Sequence, residues 1–170
     1  MELVIIVLTS LLGIQALPFN VSHAIDEEGL GGNEWWVTTC GNSVFAGSYR
    51  DMMDWESCKT WCSDISLGAT GASFTFSDLR DEDEATCVRE WMIGVFNRAL
   101  GLAGHYWIGG YRDEYGQYQW ATGNPMTYTD FIENPGNEPY IHLTPNNGYS
   151  WNTKNDQNDR NNGCLCRLDR

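Results

Sequence analysis

The sequence predicts an α+β domain with antiparallel sheet, closed by disulfides. Three observations carry this reading. Two helical patterns occupy the first part of the chain. After Gly101 come short aromatic strand segments separated by Gly, Asn and Pro, with no βαβ repeat. Six cysteines, an even number, all follow an apolar N-terminal stretch.

That stretch, "MELVIIVLTSLLGIQA", reads as a secretory signal peptide over residues 1–16, cut near Ala16, although it lacks the usual Lys or Arg at its start. It is shorter than the roughly 20 residues a membrane span needs. No other long apolar run exists, so the mature protein is expected to be secreted, soluble and not inserted in a membrane. Cysteines pair in an oxidising compartment, and three disulfides are expected. Residues 17–33 are polar and glycine-rich, a flexible leader, and hold the one glycosylation sequon, Asn20-Val21-Ser22. The domain proper runs over 34–170, long enough to bury its own core. A formal charge of −13 offers no basic patch to nucleic acid and opposes an anionic membrane surface. It suits a cationic partner or calcium.

The segment "EWWVTTC" is aromatic and β-branched, a strand. In "DWESCKTWC", positions 55, 58, 61 and 62 follow helical spacing, with Asp54 or Asp51 as cap. "LGATGASFTF" is a turn region. The following segment places Val88, Trp91, Met92, Val95, Phe96 and Ala99 at three- and four-residue steps, an amphipathic helix. The acidic run Asp81 to Glu84 falls in its first turn, where carboxylates meet the positive end of the helix dipole. It reads as a solvated helix start in preference to a calcium patch. "HYWIGG", "QYQWATG", "PYIHL", "YSWNT" and "CLCRL" are the strands.

In this order the segments resemble the C-type lectin-like domain family over roughly Trp35 to Arg170. Trp55 stands seven residues before Cys62, as in the family's first helix. "YWIGG" resembles its WIGL strand. "WATGNPMTYTDF" resembles its W-x-x-G-x-P-x-x-Y-x-x-W segment, with Phe131 in place of the last tryptophan. "EPYIHL", "SWNT" and "CLCR" resemble its glutamate-led, WND and ICE strands. The resemblance implies two helices packed on short antiparallel sheets with a long loop region, and makes Trp107, Trp120 and Trp151 core residues. It also implies a disulfide between Cys62 and Cys166. The family's second disulfide has lost both partners, with Tyr140 at one position and no cysteine from Thr153 to Asn162.

Cys40, Cys58, Cys87 and Cys164 then allow three pairings. Cys58 and Cys62 share a helix face, and Cys164 and Cys166 share a strand face, so two parallel helix–strand rungs are possible. Equally possible are Cys58 with Cys87 and Cys40 with Cys164. No histidine flanks these cysteines, which argues against a metal cluster.

Sugar-binding members of the family bridge the sugar with calcium, held by an E-P-N or Q-P-D loop, a following glutamate and the Asn-Asp of WND. The matching positions here are Asn134 before Pro135, Gly136 after it, then Glu138, Asn152 and Thr153. The expected ligand and metal residues are therefore Asn134, Glu138 and Asn152, with only one charged. Thr153 removes a carboxylate that a hard cation wants. Asp156 is the candidate replacement ligand, with Glu133 and Asp159 also near and Asn137 available after a one-residue shift. Two outcomes follow: calcium binds through a rearranged set, or the domain binds something else through its surface.

No catalytic constellation is present. His23, His105 and His142 are scattered, and there is no nucleophile elbow, phosphate loop or zinc-spaced histidine pair. The resemblance implies a non-enzymatic recognition module for glycans or glycoproteins of cells or microbes, of the kind used in innate immunity. The alternative is calcium-independent protein binding or an extracellular-matrix role on the same fold.

Overall fold

A computed structural model describes residues 35–48, 52–67, 71–95, 104–155 and 162–169. The expected signal peptide 1–16, the leader 17–33 with Asn20, and Phe96, Ala99, Asp156 and Asp159 lie outside the described residues. Among the described residues the order is β1 (Trp35–Cys40), β2 (Ser43–Ser48), α1 (Trp55–Asp64), β3 (Ser66–Leu67), β4 (Ala72–Ser73), β5 (Thr75–Phe76), α2 (Glu82–Val95), β6 (His105–Arg112), β7 (Tyr118–Trp120), β8 (Tyr140–Thr144), β9 (Ser150–Lys154) and β10 (Asn162–Asp169). No helix among them is long and apolar enough to cross a membrane.

The main sheet runs β1-β2-β10-β6-β8-β9, with β5 on β10 and β7 on β6. It is mixed, which corrects the expectation of antiparallel sheet. β10 pairs with β6 in parallel, Cys164 opposite Trp107, while the other strand pairs are antiparallel. The chain end must return beside the first hairpin, and that leaves β10 running alongside β6. β2, "SVFAGS", is buried at every position and lacks the polar alternation by which strands are read, so it escapes the sequence reading.

Both helices begin on aspartate caps. Asp54 accepts from Ser57 N at 2.7 Å and Asp81 from Glu84 N at 2.8 Å. α1 buries Trp55, Cys58 and Cys62. Its two cysteines form the parallel rungs, Cys58–Cys164 and Cys62–Cys166, with Cα atoms 5.3 and 5.4 Å apart. Cys40–Cys87 ties β1 to α2, and no described cysteine is free. The chain-entropy view credits closure of a ~100-residue loop with about 4.7 kcal/mol. The second rung then closes only the short circuit left by the first, so its extra entropic effect is smaller.

Core side chains lie on both faces of the sheet. One group, including Phe45, Val88, Met92, Ile141 and Trp151, packs with α2. The other, including Trp55, Phe76 and Trp107, packs with α1 and the two rungs. Trp107, Trp120 and Trp151 are all at most 1% exposed, as expected for large aromatics that can bury their area. Trp107 donates its indole N–H to Met53 O at 3.0 Å, and Trp55 donates to Ile108 O at 2.9 Å. Gly110 is required by packing, since a Cβ there would meet Ile141 Cδ1 at 2.5 Å.

The acidic helix start has a role beyond solvation. Asp81, Glu82 and Asp83 are exposed. Glu84, however, receives both Nη atoms of the buried Arg167, at 2.6 and 2.7 Å, together with Ser43 Oγ at 3.0 Å. Arg167 also donates to Asp78 O and to Asp169, and Arg80 joins Asp78 to Asp169. This network ties β10 to α2, β2 and the segment before α2. Charge-assisted bonds of this kind hold geometry even where burial offsets their net stabilisation.

Two tests follow. Trp107→Ala is expected to cost about 3–5 kcal/mol in a urea melt, as for other large aromatic core truncations. A loss below about 1 kcal/mol contradicts the core position. Partial burial raises the Asp169 carboxyl, but hydrogen bonds from Arg80 and Arg167 and their charges outweigh this and hold it below its ordinary value. A depressed carboxylate stabilises the fold above its unfolded value of 3.8 and loses that effect as pH falls through the folded value. Melting temperature followed from pH 5 to pH 2 should therefore fall less steeply in Asp169→Asn than in the wild type. Parallel curves contradict the assignment.

Candidate ligand-binding site

The loop region runs over 121–139, between β7 and β8. The aromatic spacing of "WATGNPMTYTDF" fixes it. Trp120, Tyr128 and Phe131 each place a ring edge-on to Trp151, with centroids at 5.4, 5.7 and 5.4 Å. Backbone bonds add to this: Trp151 N donates to Asp130 O at 2.9 Å and Ile132 N to Trp151 O at 3.1 Å. Arg89 of α2 holds Asp130 at 2.8 Å. Phe131 thus serves where the family pattern has tryptophan.

Beyond this anchor the chain exposes Glu133, Asn134, Gly136 and Asn137 and half-buries Glu138. Glu138 meets β9. Its Oε2 accepts from Thr153 Oγ1 at 2.7 Å, and its Oε1 lies 3.4 Å from Asn155 Nδ2. Asn152 is not brought to this carboxylate. Successive strand residues face opposite ways, and Asn152 lies opposite His142 while Thr153 lies opposite Ile141. The Asn152 Oδ1 accepts from Thr153 N at 2.8 Å. Asp156, the fourth expected ligand, is outside the described residues.

Two residues that the sequence reading passed over clamp the loop. Arg112 closes β6. Its Nε donates to Gly116 O at 2.9 Å, and its Nη1 donates to Asn137 Oδ1 at 3.0 Å. Tyr118, opposite Arg112 in β7, donates its hydroxyl to Glu138 O at 2.8 Å, with Gly136 O at 3.3 Å. Burial and the Glu138 charge push the Tyr118 phenol up, and the Arg112 charge and the Thr153 hydroxyl offset part of that. Gly116 sits at φ +81°, and a Cβ there would meet Arg112 Nη2 at 2.9 Å. The glycine serves both the turn and the close approach of the guanidinium. The only trace of this clamp in the sequence is the D-x-x-G turn of "YRDEYGQYQW" between two strands.

Calcium takes about six to eight oxygens and gains affinity from carboxylates. The described residues do not fit it. Glu138 is the one charged donor among the described members of the expected set, and hydroxyl and amide groups already face its oxygens. Asn152 projects from the other face of β9. The Asn137 oxygen faces a guanidinium, a fixed cation that would repel a second one. Among the described residues no three His, Cys, Asp or Glu side chains converge as a metal group.

No protein-family model and no curated protein matches the chain. Solved structures do match its fold. The C-type lectin CEL-I from Cucumaria echinata aligns at TM-score 0.63 and 20% identity, covering 78% of this chain and 94% of that one. The Ca2+-independent C-type lectin SPL-2 from Saxidomus purpuratus aligns at 0.59 and 22%, covering 78% and 91%. The C-type lectin domain of murine dendritic cell inhibitory receptor 2, solved in complex with N-glycan, aligns at 0.60 and 14%, covering 79% and 96%. This chain has the disulfide-stabilised α+β C-type lectin-like fold.

The Glu138–Thr153 bond yields a test. Thr153→Val keeps the side-chain shape but removes the hydroxyl donor from a half-buried carboxylate, which is expected to cost about 1–3 kcal/mol. Thr153→Ser keeps the donor and should lose clearly less. Equal losses in denaturant melts would show that the hydroxyl does not support Glu138.

Proposed function

From this fold we propose that the chain is a secreted, non-enzymatic recognition module that binds glycans or glycoproteins of cells or microbes without calcium. Its surface is built from residues 134–138 and 155. The observation that carries this reading is the Glu138 carboxylate held by Thr153 at 2.7 Å, on a loop clamped by Arg112 and Tyr118. The loop is organised by the chain's own donors and leaves exposed amides. Asn134, Asn137 and Asn155 are exposed, and a side-chain amide offers both a donor and an acceptor to sugar hydroxyls. Two fold neighbours support the reading by their own properties: SPL-2 is a calcium-independent lectin, and the inhibitory receptor domain was solved with an N-glycan. Disulfides accord with an oxidising, extracellular setting. The competing reading is a protein partner on the same surface, favoured by the same misfit to calcium, since bridging by the ion is how the family's sugar binders hold their ligand.

A glycan array probed with the secreted protein in excess chelator, and again in millimolar calcium, decides between them. Equal binding to the same glycans in both conditions is expected. Binding that appears only with calcium overturns calcium independence. No binding to any glycan in either condition moves the assignment to a protein partner.

A further inference from the structure

The hairpin between β6 and β7 presents Tyr115 with 80% of its surface exposed, the most exposed large hydrophobic side chain among the described residues. The ring stands on a fixed turn. Asp113 Oδ1 accepts from Tyr115 N at 3.0 Å and from Gln117 N at 2.8 Å, and Gly116 N donates to Asp113 O at 3.0 Å. Gln119 holds the other Asp113 oxygen at 2.9 Å. This turn joins the candidate site through one side chain: the Arg112 guanidinium bonds Gly116 O on one side and Asn137 Oδ1 on the other. With its oxygen taken by Arg112, the exposed Asn137 amide has its N–H groups left for a ligand.

We propose that Tyr115 is the stacking platform of this site. It takes the C–H face of an uncharged pyranose ring while Asn137 donates to one of that sugar's hydroxyls. This deepens, and rests on, the glycan-binding reading. The physical case has three parts. An aromatic face is electron-rich and attracts the weakly positive C–H hydrogens of a sugar. A tyrosine has few rotatable bonds, so fixing it costs little entropy, and here its backbone is already fixed. Glu114 is exposed beside it, Asp113 anchors the turn and Glu138 lies on the clamped loop, three carboxylates against the one Arg112 guanidinium, and the chain carries a formal charge of −13. Acidic sugars are therefore disfavoured while uncharged ones are not.

The test is saturation-transfer NMR and calorimetry with methyl β-galactoside, methyl α-mannoside, methyl β-N-acetylglucosaminide and methyl α-sialoside, on the wild type, Tyr115→Ala and Tyr115→Phe. At least one neutral glycoside should bind the wild type, with its ring C–H protons receiving the strongest transfer, and the sialoside should bind at least about tenfold more weakly. Tyr115→Ala should lose about tenfold in affinity, or 1.4 kcal/mol. Tyr115→Phe should stay within about threefold, and both variants should melt with the wild type because the ring is exposed. Wild-type affinity in Tyr115→Ala overturns the platform while leaving glycan binding intact. Preference for the sialoside overturns the selectivity. A wild type that binds none of the four, and no glycan on the array, overturns the platform together with the reading on which it rests.

Discussion

Strand β10 is the constraint on which the rest of this domain depends. It lies between β2 and β6, and α1 is bonded to it by two disulfides, Cys58–Cys164 and Cys62–Cys166. The rungs place the buried face of α1 over Trp107, whose strand pairs with β10 in parallel at Cys164. One residue beyond the second rung, the same strand carries Arg167 into the ionic network that holds Glu84 of α2 and Ser43 of β2. One strand thereby sets the positions of both helices and of β6. β6 in turn carries the site, because Arg112 at its end and the hairpin that follows it grip the 136–138 segment.

At the site, two physical solutions to the same problem compete. A polar loop of about twenty residues needs something to organise its carbonyls and amides. A divalent cation does this by gathering carboxylates. Here a guanidinium, a phenol and a threonine hydroxyl do it by covalently attached donors. Those donors belong to the chain and are present whether or not an ion is in solution. The cost is specificity for bonding pattern, since each group must sit within hydrogen-bond distance. Arg112 achieves this by passing close to Gly116, whose carbonyl it bonds at 2.9 Å. Thr153 achieves it because β9 places it on the Ile141 side of the sheet, where Glu138 arrives.

Much of this architecture was legible in the sequence. Trp107, Trp120 and Trp151 were readable as core because aromatic segments in a fixed order are a strong pattern, and the α1 cap was readable as Asp54 or Asp51 from their place before a helical period, Asp54 being the one that caps. β2 was not readable, since a strand buried on both faces has no alternation. Nor was the parallel β6–β10 pair, because the direction of pairing follows from chain return and leaves no local mark. The Cys40–Cys87 bond needed the relative placement of β1 and α2. At the site, Glu138 and Asn152 could be found by motif, but not the fact that they face different ways. That depends on which side of β9 each residue falls, and on Thr153 being the one that meets Glu138. Arg112 and Tyr118 carry no motif beyond the D-x-x-G turn between them and become neighbours only when the β6–β7 hairpin closes.

On the proposed reading, this loop is held by the chain's own donors and needs no cation. The most direct test is the melting temperature of the wild-type protein in excess chelator and in rising calcium up to about 10 mM. A ligand that binds the native state raises stability by about 2.7 kcal/mol at a hundred times its dissociation constant, so even a weak specific site would be visible. The expected result is one melting temperature across the whole series. A saturable rise with calcium, abolished by Glu138→Gln, would contradict the claim and place an ion at Glu138.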